Sequence, residues 1–232
     1  MQSILRPKGS QTNRINSEKV TMSKKKVVDF YFSFVSLYTY IGYEAFQDLV
    51  QRLDLEVNYK PIDLHAIFTA SGGLPVSKRP PQRQSYRLVE MQRWALIRNI
   101  PLVLKPKYHP CSAEIGHRML LAAIANQQDI KDFVGNALKV LWVDDLNLAD
   151  PDVMIAVANR SGLDGPALYE QSKAESITEK LNALTQEGLE KQVFGTPFFI
   201  YEGEPFWGQD RLEMLEDFIA SGRQPIPSPI IT

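Results

Sequence analysis

Two hydroxyl side chains stand at the start of a predicted helix, directly after an apolar strand. They are Ser36 and Thr39, in the order Ser-Leu-Tyr-Thr. Backbone N–H groups at a helix start have no partner within the helix, and the helix dipole there favours negative charge. A serine hydroxyl in this position either caps the helix or donates a hydrogen bond to an anion such as a thiolate. The local sequence leaves both roles open.

A second candidate site lies near the other end of the chain, at Thr196-Pro197, just before an apolar strand of residues 198–201. Proline lacks a backbone N–H, so Pro197 belongs at the mouth of this strand rather than inside its ladder. The Thr196-Pro197 bond is a candidate cis peptide, since that form is nearly confined to X-Pro bonds. In the cis form, the N–H and C=O of Thr196 are expected to face outward and pair with an extended, peptide-like ligand.

A polar turn after the same strand offers a third set of groups. A tight turn at Glu202-Gly203 leads to a second strand ending near Trp207, and Gly208-Gln209-Asp210 then begins a helix. Free N–H groups at that helix start favour a carboxylate ligand. The alternative is an ordinary buried hairpin that ends in a polar turn.

Composition narrows the class of protein. The chain has 232 residues, 44% hydrophobic and 23% charged, with a net charge of −1, so no strong field favours nucleic acid or a membrane surface. No apolar run approaches the roughly 18 residues of a membrane span, and the first residues of this sequence lack the hydrophobic segment expected of a secretory signal. Cys111 is the single cysteine, so no internal disulfide can form, and the three histidines lack metal-ligand spacing. We therefore expect an intracellular, cytoplasmic protein without a metal site.

The order of predicted elements suggests a fold. A strand at 27–32, a helix at 38–53 and a strand at 55–59 form a β-α-β unit with parallel strands. About 120 mostly helical residues follow, and then comes the Pro-led β-β-α segment. This layout predicts an α/β protein with a thioredoxin-like fold and an inserted all-helical domain. The expected divisions are a disordered leader (1–25), a discontinuous thioredoxin-like domain (26–64 and 187–222), an inserted helical domain (65–186) and a disordered tail (223–232).

Sequence motifs in this order resemble one family. The motifs are Asp29–Tyr40, Pro81–Tyr86, Arg93-Trp94-Ala95, Ile100-Pro101, His109-Pro110, Arg118, Val193–Pro197 and Phe206–Leu212. Together they are similar to 2-hydroxychromene-2-carboxylate isomerases and kappa-class glutathione transferases, two groups of the DsbA-like branch. Redox members of that branch carry Cys-x-x-Cys where this chain has Ser36 to Thr39. A serine cannot exchange disulfides near neutral pH, so the sequence excludes oxidoreductase activity of that kind.

The resemblance implies glutathione as cofactor. Its cysteinyl backbone is then expected to pair with Thr196 beside Pro197, with its thiolate at Ser36. Its γ-glutamyl end is expected at Gly208, Gln209 and Asp210, where Asp210 takes the ammonium group.

The resemblance also implies a reaction and a substrate. Glutathione thiolate adds reversibly to a conjugated aromatic substrate, which isomerises before the thiol leaves. Arg83 and Tyr38 are expected to contact this substrate, and Arg83 takes the place of a lysine that is usual in the family. Homodimers are the rule in the family, so a homodimer is expected here.

Two alternatives to the isomerase remain. One is a kappa-type glutathione S-transferase, and the other is a non-catalytic thioredoxin-fold protein that binds peptides by strand addition at Thr196-Pro197. The chain departs from the family pattern at Leu37, Gly73 and Ser112, which replace a proline and two asparagines. These departures leave the identity of the substrate open.

Overall fold

A computed structural model describes residues 25–229 of the chain, and its strands form one mixed sheet. The strands are β1 (Lys26–Phe32), β2 (Leu55–Pro61), β3 (Phe198–Tyr201) and β4 (Glu204–Trp207). Their spatial order is β2-β1-β3-β4. β1 and β2 are parallel, while β3 is antiparallel to both β1 and β4. The sheet confirms the predicted thioredoxin-like fold, and the predicted leader lies outside the described residues except for Lys25.

Helices fill the chain between these strands. They are α1 (Leu37–Leu53), α2 (Leu64–Ser71), α3 (Pro81–Arg98), α4 (Glu114–Ala125), α5 (Lys131–Trp142), α6 (Pro151–Arg160), α7 (Gly165–Ser172), α8 (Glu175–Glu190) and α9 (Leu212–Ser221). Helix α6 begins as predicted, with Asp150 accepting a hydrogen bond from the Asp152 N–H. Helix α2, capped by Asp63, was not predicted. None of the helices between residues 25 and 229 is both long and apolar enough to cross a membrane.

The sheet is covered on both faces because side chains alternate along β1. Phe30 and Phe32 point towards α1, where the ring of Phe30 lies 4.9 Å from that of Phe46 and 5.2 Å from that of Phe199 on β3. Tyr31 points to the opposite face and packs in a second cluster with side chains of α2 and α8. These contacts fix the carboxyl end of β1, from which the chain enters α1.

An ion-pair network attaches α8 to the outer face of the sheet. The Lys60 Nζ lies 3.0 Å from an Asp29 carboxylate oxygen and 2.6 Å from one of Glu187. The Tyr31 hydroxyl donates to the same Glu187 carboxylate at 2.7 Å. Because these charged groups are partly buried and fully paired, the network holds the last helix before β3 in place.

The chain after α9 begins with contacts to the sheet. Both carboxylate oxygens of Glu204 accept hydrogen bonds from the Arg223 guanidinium, at 2.7 and 2.6 Å. The Ile226 N–H donates to the same carboxylate at 2.7 Å. The segment predicted to be a disordered tail therefore starts with a bidentate ion pair to β4. The expected division into a thioredoxin-like domain and a helical insertion stays a prediction.

Candidate functional site

The two candidate stretches meet at the start of α1. The Ser36 Oγ donates a hydrogen bond to the Thr196 carbonyl oxygen at 3.1 Å, across 160 positions of sequence. The same Oγ accepts from the Thr39 N–H at 3.3 Å. Ser36 therefore caps the helix and also bridges to the turn before β3, while its role as a donor to an anion stays a prediction.

The Thr196 carbonyl, expected to face outward to a ligand, accepts a hydrogen bond from the Ser36 hydroxyl, and its pairing with a ligand stays a prediction. When the Ser36 Oγ accepts from the helix, its own proton needs an acceptor, and the Thr196 carbonyl supplies it. A hydroxyl proton rotates readily between acceptors. An anion placed beside Ser36 would therefore compete with the Thr196 carbonyl for this proton.

The Thr196-Pro197 peptide bond is cis, as predicted. The Gly208 N–H donates to the Pro197 carbonyl at 3.0 Å and ties the polar turn to this peptide. The hydroxyls of Thr196 and Thr39 are buried and have no hydrogen-bond partner within residues 25–229. Buried hydroxyls without partners are costly in a folded protein. Their presence on both sides of Ser36 is consistent with a polar ligand here.

The turn at Gly208 to Asp210 divides its side chains between the interior and solvent. Gln209 is only 2% exposed, and its Oε1 accepts a hydrogen bond from the Arg98 guanidinium at 3.1 Å. Asp210 is about half exposed and pairs with Arg211 at 2.7 Å. Gly208 has φ 105°, and a β-carbon there would lie 2.5 Å from an Asp210 carboxylate oxygen. Only glycine fits at position 208. The buried Gln209 positions the turn through its hydrogen bond to Arg98, and Asp210 remains accessible to solvent.

Arg98 and Gly42 support this turn, and sequence reasoning missed both. The Arg98 guanidinium lies over the Trp94 ring at 5.4 Å, which places it at the carboxyl end of α3 facing the turn. A β-carbon at Gly42, in the middle of α1, would overlap the Cβ of Gln209. A glycine inside a helical pattern often marks close packing, and this was the available signal for Gly42.

Two buried helical glycines give a matched test of this packing. We expect Gly42→Ala to lower the free energy of unfolding by about 1–3 kcal/mol, because Gln209 and its turn must move. Gly188→Ala should instead raise it by about 0.5–1 kcal/mol, since alanine favours a helix and the nearest atoms lie at an ordinary 3.7 Å. Urea unfolding of both variants measures the two effects, and changes of the same sign would contradict this packing.

His117 holds the turn that carries Ser36, and sequence reasoning assigned it no role. Its Nε2 accepts a hydrogen bond from the Phe34 N–H at 3.1 Å, and its ring lies 5.1 Å from that of Phe34. The side chain is only 2% exposed, and burial lowers the pKa of His117 to about 3. A neutral imidazole from α4 therefore fixes the backbone just before Ser36.

The two predicted substrate-binding residues occupy different environments. Tyr38 is partly buried, which raises the pKa of its hydroxyl, and the charges of Arg87, Arg79 and Asp210 also act on it. The structure thus brings Tyr38 near the polar turn. Arg83 is exposed in the first turn of α3, where its N–H donates to the Pro80 carbonyl at 3.0 Å, and its side chain makes no hydrogen bond or ion pair within residues 25–229.

The departures from the family pattern have structural consequences. A β-carbon at Gly73 would overlap the Phe68 ring, so an asparagine cannot occupy this position without moving that ring. Ser112 accepts from the Glu114 N–H at 3.2 Å at the start of α4, and Leu37 is buried in the core. Burial raises the pKa of the free Cys111 thiol, which disfavours the reactive thiolate.

An exposed aromatic pair flanks the cis peptide. The rings of Phe194 and Trp207 lie 4.7 Å apart, and the two side chains are 43% and 52% exposed. A β-carbon at Gly195 would lie 2.6 Å from the Trp207 Nε1, so the chain needs glycine between this pair and Thr196. Within residues 25–229, no group of three His, Cys, Asp or Glu side chains is arranged to hold a metal ion.

Known proteins share this architecture along their length. The family model of the DSBA-like thioredoxin domain matches residues 27–220. The 2-hydroxychromene-2-carboxylate isomerase of Pseudomonas putida is 30% identical over 198 residues, which are 85% of this chain and 95% of that protein. Glutathione S-transferase kappa 1 of Caenorhabditis elegans is 28% identical over 227 residues, 90% of this chain and 96% of that protein. A solved structure of 2-hydroxychromene-2-carboxylate isomerase superposes with a TM-score of 0.70 at 28% identity, covering 84% of this chain and 95% of the other.

Proposed function

The chain belongs to the DSBA-like thioredoxin domain family, within the group of the 2-hydroxychromene-2-carboxylate isomerases, and from this we propose that it is a glutathione-dependent isomerase of a conjugated aromatic substrate. The observation that carries the proposal is the position of Ser36. Its hydroxyl lies at the start of α1 and is hydrogen-bonded to the residue that precedes the cis proline. A hydrogen-bond donor at a helix start suits a thiolate, and the backbone of Thr196 beside it suits the peptide backbone of the molecule that carries this thiolate.

The residues at this site fit glutathione. Thr196 offers its backbone beside Pro197, and two buried hydroxyls without partners lie next to Ser36. The backbone N–H groups of Gln209 and Asp210 suit the γ-glutamyl carboxylate, while the Gly208 N–H is already bonded to the Pro197 carbonyl. Asp210 is exposed enough to take the ammonium group, while Gln209 positions the turn through its hydrogen bond to Arg98. The role of Gln209 is therefore indirect in this proposal.

The chemistry divides between the cofactor and the chain. When bound, glutathione supplies a thiolate that adds reversibly to the conjugated substrate, permits rotation about the former double bond, and leaves again. Ser36 donates its hydroxyl proton to the sulfur in place of the Thr196 carbonyl, which stabilises the anion and lowers the pKa of the thiol. Tyr38 and Arg83 are the residues proposed to bind and orient the anionic aromatic substrate.

A glutathione S-transferase remains the second candidate, because a kappa-class transferase is similar over 96% of its length. A transferase would keep the same thiolate site and release a conjugate. The non-catalytic alternative would use the same Thr196 backbone for strand addition, and it differs from both enzymes in showing no turnover. The consumption of glutathione during turnover separates the two enzymes. An isomerase leaves the amount of free glutathione constant, whereas a transferase consumes it.

We propose that the protein is a cytoplasmic homodimer. Helix α3 exposes apolar side chains that a monomer leaves in water, among them Leu96 at 82% and Ile97 at 67% exposure. Light scattering should give about twice the chain mass of 26.3 kDa. A mass near that of one chain at micromolar concentration would contradict the dimer.

Calorimetry with reduced glutathione tests the function. We expect saturable binding with release of a proton near neutral pH, because the bound thiol ionises. Repeating the titration in buffers of different ionisation enthalpy measures that proton. S-methylglutathione is the matched control, since it has the same backbone contacts but no ionisable thiol. Folded protein that binds neither compound would overturn the proposal.

A further inference from the structure

Three side chains near Tyr38 form a cluster that the proposed function does not use. They are Arg87 on α3, Trp142 at the end of α5 and His109 in the connection between α3 and α4. The Arg87 guanidinium carbon lies 5.7 Å from the centre of the Trp142 ring. The His109 ring lies 5.1 Å from the same indole. We call these three residues the Arg87 cluster.

The Arg87 cluster has donors without acceptors. The Trp142 side chain is 1% exposed, yet its indole N–H has no hydrogen-bond partner among the described residues. The contact of Arg87 within residues 25–229 is to the Met91 sulfur at 3.1 Å, a weak acceptor, and no carboxylate there lies within ion-pair distance. A partly buried cation without a carboxylate is costly, as is a buried N–H without an acceptor. One small anion would satisfy both groups.

The surroundings supply no such anion. Burial and the charge of Arg87 lower the pKa of His109 to about 4, so its imidazole is neutral near pH 7. Burial and, to a smaller extent, the like charge of Arg79 lower the pKa of the Arg87 guanidinium. Arg87 and His109 are both partly exposed, so solvent and solutes reach these two side chains, whereas the indole N–H of Trp142 is buried beside them.

The Arg87 cluster adjoins the thiolate site. The charge of Arg87 acts directly on the Tyr38 hydroxyl, and Tyr38 lies two residues after Ser36 in the first turn of α1. An aromatic acid bound near Tyr38 can therefore bring its carboxylate to Arg87 while its conjugated part faces Ser36. Arg83, in contrast, is exposed one turn earlier on α3.

We propose that Arg87, together with the indole N–H of Trp142, binds the carboxylate of the substrate and selects aromatic acids over neutral aromatic compounds. The planar guanidinium fork matches a carboxylate, and a second donor from Trp142 fixes its orientation. The proposal rests on the proposed function for the identity of the site, and it moves the carboxylate contact from the exposed Arg83 to the partly buried Arg87.

Nuclear magnetic resonance of the indole groups tests the proposal with benzoate as probe and benzamide as its neutral counterpart. The chain has three tryptophans, and Trp142→Phe assigns the Trp142 indole signal in ¹⁵N-labelled protein. We expect benzoate to shift this signal saturably and benzamide to leave it unchanged. Arg87→Gln should weaken benzoate binding roughly tenfold to hundredfold, the range for a hydrogen bond to a charged group. Arg87→Lys keeps the positive charge but lacks the planar guanidinium group, so its affinity for benzoate should lie between those of the wild type and Arg87→Gln.

Arg93→Gln is the matched control on the same helix, since Arg93 is exposed and paired with Glu90. It should bind benzoate as the wild type does. Equal benzoate affinity in wild type and Arg87→Gln, or a shift at Trp207 in place of Trp142, would overturn the proposal. The same samples titrated with glutathione separate the two claims. If glutathione binds but benzoate does not shift the Trp142 signal, only the proposal of a carboxylate site at Arg87 is contradicted. If benzoate shifts the signal but glutathione does not bind, the carboxylate site is supported and the proposed function is contradicted.

Discussion

Replacing Ser36 with alanine should raise the pKa of the bound glutathione thiol by about one to two units. A free thiol titrates near ~8.5, and donors at a helix start lower this value. A hydrogen bond to a charged group contributes roughly 1.5–3 kcal/mol, and one pKa unit corresponds to about 1.36 kcal/mol. The Ser36 hydroxyl is placed for this role because it already donates to the Thr196 carbonyl and needs only to rotate. At a given pH the ratio of thiolate to thiol in the variant should therefore be roughly ten to a hundred times lower.

Ultraviolet absorbance of the thiolate across pH measures this effect directly. Thr39→Val is the matched control, since it removes a buried hydroxyl one turn further along α1 that has no partner within residues 25–229. It should change the thiol pKa less than Ser36→Ala does. Ser36→Ala also removes a helix cap, a loss of about 0.5–2 kcal/mol of stability, so the folded fraction must be measured beside it. Identical titration curves for wild type and Ser36→Ala would reduce Ser36 to a helix cap.

The scaffold of the site was predictable because its signals are local. The apolar strand before Ser36, the periodic apolar residues of α1 and the proline before β3 each depend on neighbouring residues in the sequence. The β-α-β order then placed the start of α1 at the carboxyl end of β1, and the family resemblance placed Thr196 beside it. The structure brings these residues together.

The partners of the site residues were not predictable, because each joins distant parts of the chain. The Ser36 hydroxyl bonds a carbonyl 160 positions away, and Gln209 turns inward to a guanidinium 111 positions away. No periodicity or spacing reports such contacts. The Arg87 cluster likewise forms only where α3, α5 and the segment that connects α3 to α4 meet. Nothing in the sequence marks Arg87, His109 and Trp142 as neighbours.

His117 shows how such a hidden contact reaches function. Its Nε2 accepts the Phe34 N–H, so the ring must be neutral at this atom. Protonation would replace an acceptor with a donor facing a donor, two residues before Ser36. Since the ring is packed against Phe34, no water can take over the bond without repacking the core. The geometry of the proposed thiolate site therefore depends on a buried histidine of α4.

This dependence predicts loss of stability in mild acid. An unfolded histidine binds its proton near pH ~6.5, whereas burial lowers the pKa of His117 in the folded state to about 3. Between these values unfolding takes up a proton, so the free energy of unfolding falls as the pH drops. One such histidine accounts for roughly 2 kcal/mol between about pH 7 and pH 5. Burial, with the charge of Arg87, also lowers the pKa of His109 to about 4. His109 therefore adds a further loss of unfolding free energy as the pH falls from about 6.5 to about 4.

Urea unfolding at a series of pH values from 7 to 5 measures the slope of the unfolding free energy against pH. This slope can be compared between variants even when one of them is less stable at every pH. His117→Gln offers an uncharged acceptor for the Phe34 N–H and should flatten the slope by about one proton. His65→Gln is the matched control, because His65 is exposed, and it should keep the slope of the wild type. If His117→Gln does not fold, the imidazole carbon shifts of the wild type answer the same question, since a His117 signal that titrates near pH ~6.5 contradicts its burial as a neutral acceptor. A slope unchanged by His117→Gln would mean that His117 has the same pKa in the folded and unfolded states, which would contradict its burial as a neutral acceptor of the Phe34 N–H.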